Sequence, residues 1–163
     1  MMSGQPDFPK PLNAGYMARG KFFKRIRSVV FLLPAWFAPS SCLRVFFHRL
    51  RGVKIGKKVE IGYFCIIGNV HPNLITIEDG GVVTAGVVLL EHDNAHYYTR
   101  GGRVKFGPVI IKKNAFIGLH AVILPNITVG ERSIVGANSL VVRDVPPNTV
   151  VGGVPAKFLW KAQ

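Results

Sequence analysis

From residue 111 to 146 an aliphatic residue returns at every sixth position. Ile111, Ile117, Ile123, Val129, Val135 and Val141 open the successive hexads IKKNAF, IGLHAV, ILPNIT, VGERSI, VGANSL and VVRDVP. Gly follows the opener at 118, 130 and 136, and the fifth position is small at Ala115, Ala121, Ser133 and Ser139, with Ile127 and Val145 the larger pair. A period of six is neither the 3.6 of a helix nor the 2 of a plain strand. It fits a short strand followed by a corner, three of which close one triangular coil. Stacked coils then pair as parallel strands about 4.8 Å apart, with the openers pointing inward. The fourth positions (Asn114, His120, Asn126, Arg132, Asn138 and Asp144) fall at corners, and Asn, Asp and His are the non-glycine types that most readily take positive φ.

The same period runs upstream. IGKKVE, IGYFCI and IGNVHP follow from Ile55; a break at 73–76 resets the phase; IEDGGV, VTAGVV and LLEHDN follow from Ile77. All twelve openers are Ile, Val or Leu, which predicts an all-β solenoid, a parallel β-helix of four to five coils. The phase is lost over 93–108, an insertion holding Asn94, His96, Tyr97, Tyr98, Arg100, Gly101, Gly102 and Arg103. Insertions in solenoids tend to form the binding face. Beyond Pro146, Val150 and Val151 are expected in a last strand, and Pro155 to Trp160 as a tail folded over the bottom coil.

The residues before the hexads differ in kind. Residues 1–20, with Pro6, Pro9 and Pro11, read as an irregular arm. Residues 21–51 run from basic and aromatic (KFFKRIR) through apolar (SVVFLLPAWFAP) to basic and apolar again (CLRVFFHRLR). The apolar run contains Pro34 and is far short of the roughly twenty residues that span a bilayer. Leu43 to Leu50 is expected to form a short helix capping the open end of the β-helix, with His48 on its surface. Residues 21–38 admit two readings. They lie on an anionic membrane surface, with Lys21, Lys24, Arg25 and Arg27 near headgroups and Phe22, Phe23, Trp36 and Phe37 inserted, or they pack against the barrel or a neighbouring subunit. The expected organisation is an arm and capping helix over 1–51 and a β-helix domain over 52–163, with a loop at 93–108 and a tail at 147–163.

Charge narrows the partners. With 163 residues and a formal net charge of +13, this is one strongly basic domain. A phosphorylated cofactor, an anionic membrane, an anionic glycan or nucleic acid would each suit that charge. No nucleic-acid recognition motif is present, and aromatics do not interleave with basic residues on one repeated face, so nucleic acid is not expected. Cys42 and Cys65 match no metal or redox spacing and read as ordinary thiols of a reducing compartment.

Candidate chemistry gathers where the insertion leaves the coil. His92 holds the fourth, corner position of its hexad, and an imidazole can take a proton from an attacking nucleophile. His96 is the reserve for that role. Glu91 and Asp93 flank His92; neighbours alternate direction along a strand, so solvated loop carboxylates are the plainer reading, with one of them left as an orienter of the ring. Asn69 and His71 are candidates to line an acceptor cleft, His71 otherwise being a turn residue before Pro72. His120 reads as a structural corner residue.

The run ILPNITVGERSIVGANSLVVRDVPPNTVVGGVPAK, residues 123–157, resembles the hexapeptide-repeat acyltransferases. It is similar to the C-terminal half of the galactoside, maltose and xenobiotic acetyltransferases and of polysaccharide O-acetyltransferases, and the likeness covers about residues 52–159. Asn126 and Asn138 depart from the family's usual Gly at two corners. The resemblance implies a left-handed winding, a homotrimer with active sites between subunits, and acetyl-CoA as co-substrate in the cytoplasm. It also implies His92 as general base toward a sugar hydroxyl, since the family's base is the first His after this hexad block. The cofactor positions it implies are Phe116, Gly118, Leu119, Ala137, Val142, Arg143 and Lys157. Phe116 stands where many relatives carry Trp, Leu119 replaces a common Ser and Val142 a common Thr, so side-chain hydroxyl contacts are lost. Acceptor contacts fall to Asn69, His71, Asp93 and His96. The basic, apolar N-terminus suits a lipid-linked sugar and contact with the membrane's inner face. N-acetylation of an amino sugar and xenobiotic acetylation are close variants. A γ-carbonic-anhydrase-like zinc protein is the alternative of another class, but Pro125 occupies the position of that family's third His after His92 and His120.

Overall fold

The computed structural model describes residues 22–100 and 103–162. The arm over 1–20, Lys21, Gly101 and Gly102 lie outside the described residues, as do the side chains of Phe22, Phe23, Lys24, Arg25 and Arg100.

Three helices come first: α1 (Phe22–Val30), α2 (Leu32–Phe37) and α3 (Ser41–Arg51). Short strands then alternate with corners and fall into three sheets. One contains β1 (Lys54–Ile55), β4 (Ile75–Ile77), β9 (Val109–Ile111) and β12 (Ile127–Val129). The second contains β2 (Glu60–Ile61), β5 (Val82–Val83), β10 (Phe116–Ile117), β13 (Ile134–Val135), β15 (Thr149–Gly152) and β16 (Lys157–Lys161). The third contains β3 (Ile66–Ile67), β6 (Val88–Leu89), β11 (Val122–Ile123) and β14 (Leu140–Val141). All pairings within these sheets are parallel except the last, β15 with β16.

The register follows the hexads. Ile61, Val83, Ile117, Val135 and Val151 stand in one row, and Ile67, Leu89, Ile123 and Val141 in another. Every one of these openers is buried, as are the fifth-position residues Cys65, Val87, Ala115, Ala121, Ser133 and Ser139. The core is therefore a stack of repeated rows of aliphatic side chains, which is what drives the chain to coil. Burial pushes the Cys65 thiol up to about 11, so it stays protonated.

Corners behave as predicted at Asn114, His120, Asn126, Arg132 and Asn138, all with φ between 54° and 71°. Lys58 and Phe64, also fourth in their hexads, take φ of 53° and 56°. Asp144 is a correction: it is not left-handed, and its Oδ1 instead accepts from Thr128 N at 2.7 Å. Val70 and His92 depart in the same way, and all three follow strands of the third sheet. That edge of the stack is irregular, and the insertion leaves from it.

Helix α3 lies against the first coil and is longer than the expected Leu43 to Leu50. Ser40 Oγ accepts from Leu43 N, and Gly52, with φ 109°, ends the helix in the left-handed region where glycine is unstrained. Arg44 donates to Ile61 O and Ala38 O, and Ser41 Oγ accepts from Ile61 N, so β2 is not left as an open edge. Two expectations for this region fail. His48 is fully buried, with its Nδ1 3.0 Å from Arg51 Nη1. Trp36 does not point outward; its Nε1 donates to Cys65 O at 2.8 Å. At the other end the tail folds back as β16, antiparallel to β15; Ala156 packs against the core and its N donates to Leu140 O at 2.7 Å, while Phe158, Leu159 and Trp160 stay exposed.

Candidate active site

Glu91 lies on a bend after β6, and the chain then enters β7 (His92–Asp93), which pairs antiparallel with β8 (Lys105–Phe106). Between them lies α4 (Ala95–Arg100). His92 is therefore in a strand at the base of the insertion and not in a left-handed corner, because its backbone is claimed by pairing with Phe106. Gly107 N donates to Glu91 O at 2.9 Å and closes the neck of the excursion.

The bend overturns the solvated reading of Glu91, which is only 1% exposed. Its Oε1 accepts from Val70 N at 2.7 Å and His71 N at 2.9 Å, which belong to the neighbouring turn of chain. The same oxygen lies 3.3 Å from His92 Nδ1, close but without hydrogen-bond alignment. Glu91 thus fixes the edge at 70–71 and presents a carboxylate to one nitrogen of the imidazole, leaving Nε2 for chemistry. The ring of Phe106 stands 5.9 Å from the His92 ring and 4.8 Å from the His71 ring, centroid to centroid. Sequence reading gave Phe106 no role, because nothing in the insertion's pattern signals an aromatic packed on two imidazoles.

Behind Glu91 is a buried guanidinium that the sequence also did not signal. Arg51 donates to Ser28 O, Ile67 O, Gly68 O, Asn69 Oδ1 and His48 Nδ1, at 3.0 to 3.3 Å. Burial lowers its pKa to about 10 against the raising influence of Glu91, so it is charged at neutral pH. Burial, then Arg51 and Arg44, push His48 down to about 3, and a neutral His48 accepts Arg51's proton donor at Nδ1. Asn69 is held by Arg51, and His71 by its backbone on Glu91, so Asn69, His71 and His92 are gathered at one edge. Asp93 and His96 are exposed: Asp93 Oδ1 accepts from Ala95 N at 2.8 Å, and His96 is carried on α4.

The cofactor candidates divide. Leu119 and Ala137 are exposed at the edge between the second and third sheets, with Phe116 facing outward from β10. Gly118, on that same edge, is buried, and a Cβ there would sit 2.6 Å from both Ala137 N and Val135 O, so packing alone requires glycine. Val142 and Arg143 are exposed at the other edge of the third sheet, the edge from which His92 also leaves. Arg143 and Lys157 share a cavity of about 370 Å³ with Lys161, a third cation that sequence reading passed over. A second cavity, of about 530 Å³, is lined by Lys112, Glu131 and Asp144 among others; His92 lines neither. Among the described residues no three His, Cys, Asp or Glu side chains cluster closely enough to hold a metal ion.

Residues 108–143 match the model of the bacterial transferase hexapeptide (six repeats). The chain is 32% identical over 127 residues to the galactoside O-acetyltransferase of Escherichia coli K12, covering 77% of this chain and 60% of that protein. It is 34% identical over 119 residues to a putative acetyltransferase of Staphylococcus aureus, covering 67% of this chain and 55% of that protein. Among solved structures, a galactoside acetyltransferase in complex with coenzyme A superposes with a TM-score of 0.67 at 26% identity, over 90% of this chain and 84% of that one. A hexapeptide-repeat-containing acetyltransferase from Vibrio cholerae shares the fold with the same TM-score at 24% identity, over 90% of this chain and 95% of that one. The likeness in fold makes the stack of three sheets a left-handed parallel β-helix.

Proposed function

This chain belongs to the hexapeptide-repeat acyltransferases, and from that premise we propose that it transfers an acetyl group from acetyl-CoA to a hydroxyl of a sugar or polysaccharide precursor. His92 is the general base. The observation that carries this reading is the pairing of a buried carboxylate with Nδ1 of an imidazole that is only part-buried at the mouth of the insertion. Nε2 takes the proton of the acceptor hydroxyl as its oxygen attacks the thioester carbonyl. The carbon–sulfur bond then breaks, and the departing thiolate leaves with the proton that His92 returns, so the base is regenerated and no covalent enzyme intermediate is needed. Glu91 places its charge 3.3 Å from Nδ1 and stabilises the imidazolium while it carries the proton.

Coenzyme A lies along the exposed residues Phe116, Leu119 and Ala137 at one edge, where buried Gly118 keeps the coils close, and along Val142, Arg143 and Lys157 toward the other, with Arg143 and Lys157 meeting phosphate. The third sheet separates the edge of Leu119 and Ala137 from the edge of His92. A site using both is completed by two chains, which supports a homotrimer with shared crevices. Asn69, His71, Asp93 and His96 border the acceptor. We read the stack as four coils and the start of a fifth, with 1–51 as arm and cap and 52–163 as the catalytic domain, acting in the cytoplasm where acetyl-CoA is supplied.

The test is thiol release from acetyl-CoA across sugars, amino sugars, nucleotide sugars and chloramphenicol. Turnover with a hydroxyl sugar is expected; release with amino sugars only moves the assignment to N-acetylation, and none with any acceptor removes it.

A further inference from the structure

Helix α1 is turned inside out. Over 26–30 the buried side chain is Ser28, while Ile26, Val29 and Val30 are exposed. Phe31 N donates to Arg27 O at 3.2 Å and Ala35 N to Phe31 O at 3.1 Å, so helical spacing continues from α1 into α2. Ile26, Val29, Val30, Leu33 and Phe37 then fall at steps of three and four on one face. That face points to solvent, with Leu33 and Phe37 each 61% exposed. On the inner side the guanidinium of Arg51 donates to the backbone carbonyl of Ser28, and the small Ser28 side chain is buried beside it with its hydroxyl unpartnered.

An apolar ridge of this kind is unstable in water unless something covers it. The surrounding charge identifies the cover. No Asp or Glu occurs anywhere from residue 8 to residue 59, whereas Arg27, Arg49, Lys54, Lys57 and Lys58 are exposed on or near the helices. A second copy of this chain would bring those cations against their own equivalents, while an anionic bilayer neutralises them. Neither helix is long or apolar enough to cross a membrane.

We propose that the ridge from Ile26 to Phe37 seats the protein on an anionic phospholipid surface. The five apolar side chains enter the boundary between headgroups and acyl chains, and Arg27 meets headgroup phosphate. The ridge is joined to the candidate active site by one side chain, since Arg51 binds Ser28 O on α1 and Asn69 Oδ1 beside Glu91. If acetyl transfer proceeds as argued above, the acceptor it meets there is carried on a lipid. Docking itself does not depend on that reading.

The experiment is sedimentation of the full chain with vesicles of phosphatidylcholine alone or mixed with phosphatidylglycerol, at low and high salt. Binding is expected only to the mixed vesicles and is expected to weaken with salt. Arg27→Gln should lower affinity about fivefold, the worth of one cation near such a surface. Val30→Asp with Leu33→Asp should abolish binding while thermal unfolding and thiol release with a soluble acceptor are unchanged. Equal binding to neutral vesicles, or none to either, overturns the proposal. So does a change in oligomeric state in the double variant, which would show the ridge covered by another copy.

Discussion

Glu91 Oε1 lies 3.3 Å from His92 Nδ1, although consecutive residues on a strand point to opposite sides. The bend at Glu91 breaks the alternation and lets two neighbours share one space. Glu91→Gln keeps an oxygen for the amides of Val70 and His71 but removes the charge facing the imidazole. We expect kcat to fall at least about tenfold while KM for acetyl-CoA and the unfolding temperature hold. Glu91→Ala should lose stability as well, because two part-buried amides lose their acceptor and the space of a buried side chain is emptied. Unchanged kcat in the Gln variant would make Glu91 purely structural.

His92→Ala removes the proposed base without touching the rows of buried aliphatics. CoA release should drop at least about a hundredfold, with acetyl-CoA affinity unaltered. Parallel measurement of His96→Ala separates the two candidates. Since His96 rides on exposed α4, its variant should retain near-full turnover, and the reverse pattern would move the base into the insertion.

The rows of the β-helix were legible because each opener repeats one physical instruction, and a repeated instruction survives local exceptions. Ile61, Val83, Ile117 and Val135 stand in register as the period requires. His92 was legible as a residue but not in its geometry: the period places it at a corner, and pairing with Phe106 across the insertion overrides the period. Glu91, Arg51 and His48 were misread or missed for one reason. Charged and polar residues are normally solvated, and their burial here depends on contacts between α1, α3 and the first turns of the stack, which no local pattern encodes. The inward turn of Ser28 on α1 was illegible in the same way.

Arg51 is the joint between the helices and the candidate site. Arg51→Met leaves the carbonyls of Ser28, Ile67 and Gly68 without this donor and Glu91 without a nearby cation. The cost should be about 3 kcal/mol or more, a fall in unfolding temperature of roughly 6–12 °C for a chain of this size. Arg51→Lys should recover only part, because one ammonium cannot reach partners spread around a planar fork. A variant as stable as the parent would show that these bonds are replaced by water.

His48 gives a pH dependence with a definite sign. In the unfolded chain it titrates near 6.5, and in the fold burial and the two arginines push it down to about 3. Between those values the unfolded state binds a proton that the folded state refuses. Stability from this group is therefore complete above about pH 6.5 and is lost as pH falls toward 3, by up to about 1.4 kcal/mol per pH unit. Carboxylates contribute their own loss in acid, so the comparison must be with His48→Gln. Urea midpoints measured from pH 7 to pH 4 should fall less steeply in the variant, with the two curves converging as pH drops. Parallel curves would mean that His48 gains its proton in the fold as readily as outside it.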